Sequence, residues 1–205
     1  MYIESRAARA LIVSLALGWA AHAAGASDSA AEKVAATTCA SCHGQGGRST
    51  SAPFPNLAAQ TAPYLELQLK AFREQTRADP DAQAYMWGMA AQLDDATIQG
   101  LAAYYASQRP APGASGEAKS VAQGKLVFEQ GVAASQIPAC ASCHGAHAQG
   151  VSIFPRLAGQ HAAYLVKQML VIQSALRNAP VMHGVIKELT REQMQSVADY
   201  LQSLD

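Results

Sequence analysis

Cys39-Ala40-Ser41-Cys42-His43 and Cys140-Ala141-Ser142-Cys143-His144 are the same pentapeptide, and together they hold all four cysteines of this 205-residue chain. The Cys-x-x-Cys-His pattern is the attachment signature of c-type haem. On a helix, residues at i, i+3 and i+4 share one face, so two thiols can bond the two vinyl groups of one porphyrin while the adjoining imidazole reaches its iron. A four-sulfur zinc site is the first rival reading, but it leaves His43 and His144 without a role and is an unusual use of thiols in an exported chain. A thioredoxin-like pair needs a strand-helix-strand setting, and no alternating β-branched run flanks either motif. Each pentapeptide therefore predicts one covalent haem c, two in all.

The first residues agree with export. Arg6 and Arg9 precede an apolar stretch from Ala10 to Ala21, and Ala21-His22-Ala23 is a small-x-small cleavage site. Residues 1–23 read as a secretory signal peptide, with Ala24-Gly25-Ala26 as a second cleavage point. A membrane anchor is the competing view, but about 12 apolar residues fall short of the roughly 20 that span a bilayer. No later stretch is long and apolar enough. The expected location is the periplasm, with no membrane span in the mature chain and room for peripheral association only.

The pentapeptides belong to a longer duplication. Phe54-Pro55-Asn56-Leu57-Ala58-Ala59-Gln60 returns as Phe154-Pro155-Arg156-Leu157-Ala158-Gly159-Gln160, and Tyr64-Leu65 with Gln68-Leu69 returns as Tyr164-Leu165 with Gln168-Met169, always 100 residues on. Leu93, Ile98, Leu101, Ala102 and Tyr104 then match Leu189, Met194, Val197, Ala198 and Tyr200 at a spacing of 96. Self-similarity of this kind means two copies of one folding unit. We expect domain 1 over residues 27–109, a Pro- and Gly-rich linker over 110–119, and domain 2 over 120–205.

Within each unit the pattern is helical, so the fold class is all-α. Thr61 is expected to cap, and Pro63 to sit in the first turn of, a helix carrying Tyr64, Leu65, Gln68, Leu69 and Phe72. Asp94 starts a last helix with Ile98, Leu101, Ala102 and Tyr105 as its apolar stripe, and Thr190 with Gln193 makes a capping box before Met194, Val197, Ala198 and Leu201. These stripes are too narrow for a large core. A porphyrin supplies the missing apolar volume, and the units are expected to fold poorly without it.

The repeat also selects a sixth ligand for each iron. Seven residues before Leu93 stands Met86, and seven before Leu189 stands Met182. A thioether favours ferrous over ferric iron and raises the potential. Met89 aligns with Val185 and is expected to pack. His147, His161 and His183 have no repeated position and suit surface or hydrogen-bonding roles. Pro55 and Pro155 follow their histidines by 12 and 11 residues, a spacing equally consistent with a carbonyl acceptor for the ligating imidazole and with loop punctuation.

Charge is balanced, with 15 basic and 15 acidic residues, so bulk electrostatics gives no support to a nucleic-acid partner. The halves differ modestly: 8 acidic and 6 basic residues between Asp28 and Arg109, against 6 and 7 from Pro110 to Asp205. Such a dipole can orient a molecule towards a partner.

Taken together, these motifs resemble the cytochrome c4 family, two class I cytochrome c units in tandem, from about Ser29 to Leu204. The resemblance implies two helical domains, each wrapped round a covalent haem and related by a pseudo-twofold axis, with the haems facing across the interface. It implies that Pro55 and Pro155 orient the proximal histidines, that Met86 and Met182 ligate iron, and that the protein carries electrons from a donor such as a quinol-oxidising complex towards a terminal oxidase. It is then no enzyme. A dihaem peroxidase and the haem subunit of a dehydrogenase complex are the alternatives. Two departures stand out. Gly124 and Phe128 suit a first helix that crosses the last one closely, whereas the first unit has no glycine from Ser29 to Thr38 and places Glu32 there, which puts its packing in doubt. The loop before the ligand methionine is also shorter in the second unit.

Overall fold

The computed structural model describes residues 30–205. The expected signal peptide lies outside these residues. Among them there is no β-strand, only two isolated bridges, Val132 to Ile137 and Val151 to Phe154. Among the described residues no helix is long and apolar enough to cross a membrane.

In the first half, α1 is a helical run over residues 30–43, with a π-turn at Ala35–Cys39 that leads into Ala40–His43. Then come α2 (Ala62–Arg73), α3 (residues 80–90, a π-turn at Ala82–Met86 continued by Trp87–Ala90) and α4 (Asp95–Ser107). The second half repeats the order, except that two separate helices, α5 (Ala118–Gln130) and α6 (Ala141–His144), stand where α1 is one run; α7 (Ala162–Gln173), α8 (Pro180–Ile186) and α9 (Arg191–Gln202) follow.

The caps mostly follow the sequence. The Asp94 carboxylate accepts from the Thr97 N–H at 2.7 Å, and both bonds of the Thr190–Gln193 capping box are formed. Thr61 does precede α2, but its hydroxyl caps nothing; it donates to the Ser152 carbonyl of the other half at 2.6 Å.

Two further expectations need correction. The four-residue length difference is not a loop. Both helices open at a proline, Pro80 and Pro180, and the additional residues form about one extra helical turn in α3, where the π-turn absorbs them. Met89 does not pack either. It is 57% exposed.

Gly124 lies on α5 where that helix crosses α9. A Cβ there would stand 1.8 Å from the Ser196 carbonyl oxygen, so only glycine permits the approach. In the first half Glu32 does not occupy the crossing. It is exposed, and Ala31 and Ala35 pack instead with Leu101, Ala102 and Tyr105. Small residues on the inner face of α1 substitute for the missing glycine, at the cost of a thinner core. The second half encloses one continuous cluster around Phe128, Met169, Ile186, Met194 and Leu201, while the first is divided into a cluster around Leu101 and another around Phe72.

The halves join through groups related by a pseudo-twofold. The Gln60 side-chain amide accepts from the Arg156 N–H at 2.7 Å and donates to the Arg156 carbonyl at 3.0 Å. Its counterpart Gln160 does the same to Asn56, at 2.9 and 3.0 Å. Each amide thus satisfies the backbone N–H and C=O of one residue in the opposite half, which gives the repeated glutamine a structural reason. A second layer holds two buried guanidinium groups. Arg77 donates to Gln68 and, across the interface, to Gln168, while Arg177 donates to Gln168 and, across it, to Gln68 and Tyr64.

Candidate haem centres

Each pentapeptide occupies one helical turn that ends on its histidine. The turn stops because the next residue is glycine with positive φ, 73° at Gly44 and 85° at Gly145; a Cβ at Gly44 would lie 2.1 Å from the Arg48 carbonyl oxygen. Cys42 and Cys143 are exposed, and Cys39 and Cys140 are half-buried against the core. All four thiols are free. Burial pushes the Cys39 thiol above its ordinary value and Cys140 up to about 11, so both stay protonated in the polypeptide before attachment. Among the described residues no three His, Cys, Asp or Glu side chains converge on a metal-sized site, which removes the geometric basis for a four-sulfur zinc centre.

Both histidines are buried and held in the same way. Nδ1 of His43 lies 2.9 Å from the Pro55 carbonyl oxygen, and Nδ1 of His144 lies 2.9 Å from that of Pro155. Taken as N–H donation from Nδ1, this bond leaves the lone pair at Nε2 free to coordinate. Burial also lowers both imidazole pKa values, against the pull of the proline carbonyls, and so favours the neutral, ligating form. Phe54 and Phe154, one residue before the prolines, set their ring edges against the imidazoles at centroid distances of 6.2 and 6.3 Å. The Phe-Pro repeat was visible in the sequence, but the role of the phenylalanines was not, because an aromatic residue beside proline has no single meaning.

Met86 lies on α3, partly buried against Phe72, Ala82 and Ala90, and Met182 lies on α8 against the core of the second half. The non-repeated histidines serve elsewhere. His161 Nε2 is 3.1 Å from the Ser49 carbonyl oxygen across the interface, His183 Nδ1 is 2.9 Å from that of Ile172, and His147 is exposed.

Two free thiols on one helical turn, beside an imidazole whose Nε2 has no hydrogen-bond partner among the described residues, are the donor set that covalent haem requires. Having that set twice, in tandem helical units, defines a dihaem c-type cytochrome. The cytochrome c family model matches residues 29–108 and 121–205. The chain is 42% identical to cytochrome c-552 of Acidithiobacillus ferridurans over 93% of its own length and 84% of that protein. It is 37% identical to the thiosulfate dehydrogenase electron acceptor of Thiomonas intermedia, over 98% of this chain and 92% of that one. The solved cytochrome c4 of Acidithiobacillus ferrooxidans superposes with a TM-score of 0.77 at 40% identity, covering 81% of this chain and 98% of that one. The chain belongs to the cytochrome c family, in its two-domain cytochrome c4 branch. It carries two covalent haem c groups and serves electron transfer.

Proposed function

We propose that this protein is exported to the periplasm and carries electrons between respiratory-chain partners towards a terminal oxidase, with His43 and Met86 as axial ligands of the first haem and His144 and Met182 as those of the second. The supporting observation is the matched pair of buried, proline-anchored imidazoles, each in a half that offers a methionine on the corresponding helix. Haem iron supplies the one-electron couple. The chain supplies two saturating ligands of fixed orientation, so little rearrangement accompanies each transfer and no substrate pocket is needed. Saturation also argues against a peroxidase, which needs an open or displaceable position.

The test is a redox titration of Met86→Ala and Met182→Ala. Each substitution is expected to lower the potential of one haem and remove its share of the weak red-edge band of Met-ligated ferric haem. Unchanged potentials and spectra in both variants would show the ligand assignment to be wrong. The second reading, a dedicated haem partner of a dehydrogenase, is favoured by the similarity to an electron acceptor of thiosulfate dehydrogenase. Reduction of the purified protein by such an enzyme would distinguish it.

A further inference from the structure

The second interface layer is symmetric except in its charge. Tyr64 matches Tyr164, Gln68 matches Gln168 and Arg77 matches Arg177, but Asp79 is matched by Ala179. Asp79 is 1% exposed, and its carboxylate accepts from Arg77 Nε at 2.9 Å. Arg177 is also buried and, among the described residues, has no carboxylate partner; it donates to Gln168, Gln68 and the Tyr64 hydroxyl, whose pKa, against its burial, Arg177 and Arg77 pull down. Two guanidinium groups thus face one carboxylate between the halves, and that carboxylate belongs to the first. Buried charges act over long range because little solvent screens them. Asp79 also stands at the entrance to α3, the helix of Met86, and the Trp87 indole N–H donates to the Arg77 carbonyl at 2.8 Å, which ties the guanidinium segment to that helix.

Ferric haem carries one more positive charge than ferrous haem. A carboxylate therefore favours the ferric form and lowers the potential, while an unneutralised guanidinium does the reverse. Were the cluster symmetric in charge, it could not distinguish the two haems. We propose that Asp79 is a positioning residue for electrons: by neutralising Arg77 alone it holds the first haem at lower potential than the otherwise equivalent second, and so biases the electron towards the second half. This rests on the dihaem electron-carrier reading.

The test is a spectroelectrochemical titration of the full dihaem protein, each potential assigned to its haem through Met86→His and Met182→His. Asp79→Asn is nearly isosteric and should raise the first haem's potential more than the second's, by about tenfold in its reduction equilibrium, or about 59 mV for one electron. Ala179→Asp supplies the missing carboxylate beside Arg177 and should lower the second haem's potential more than the first's by a similar factor. A merely structural disturbance would not shift the two variants in opposite directions, and Ala179→Asp keeps the test open if Asp79→Asn fails to fold. Shifts of less than twofold, or a fall at the first haem of Asp79→Asn, would overturn the proposal while leaving the electron-carrier reading intact. Absence of two haem masses from the wild-type protein would overturn both.

Discussion

At the scale of single residues, hydrogen bonds to backbone do most of the placing. Pro55 and Pro155 orient the imidazoles through carbonyls that a rigid ring holds in position, so sequence spacing carried the information without revealing that a bond was made. The helix caps add a pH dependence. The Glu117 carboxylate accepts from the N–H groups of Lys119 and Ser120, which lowers its pKa; Asp94 is likewise lowered by its hydrogen bonds to Thr97. In both cases the folded value lies below the unfolded one, so the contribution to stability is complete above the ordinary values of 4.5 and 3.8 and is lost as pH falls through the depressed folded values. The melting temperature should therefore decrease on acidification below about pH 4.5, and Glu117→Gln should flatten part of that slope in a calorimetric series.

At the scale of elements, the two halves meet the same packing demand by different means. Gly124 lets α5 touch α9 at the Ser196 backbone, and Gly124→Ala should cost about 3 kcal/mol in denaturant unfolding because two helices must separate to admit one methyl group. Ala31 and Ala35 perform the corresponding task on α1, and a Cβ is tolerated there. The four-residue difference between the halves was legible as a length change, but its form was not. Four residues are close to one 3.6-residue turn, so a helix can absorb them and still present its methionine inward, an outcome that only the packing of α3 against Phe72 reveals.

At the scale of the whole molecule, the interface is a polar seal with approximate twofold symmetry. Gln160 satisfies both backbone groups of buried Asn56, and Gln160→Leu would strand them. We expect a loss of about 2 kcal/mol in stability. The two halves should then also unfold in separate steps, which denaturant titrations monitored at the haem absorbance and by far-UV circular dichroism would reveal as non-coincident curves.

Sequence alone determined the covalent chemistry, the duplication, the helical class and the candidate ligands, because these depend on residue identity and on spacings within one helix or one repeat. The tertiary structure decided what depends on atoms distant in the chain: that Gln60 and Gln160 join the halves, that Thr61 reaches Ser152 instead of capping α2, that Met89 is exposed, and that Asp79 pairs with Arg77 while Arg177 has no carboxylate partner among the described residues. A repeat announces equivalent positions. Which of them meet, and which charges are left without a partner, follows from how the two copies pack against each other.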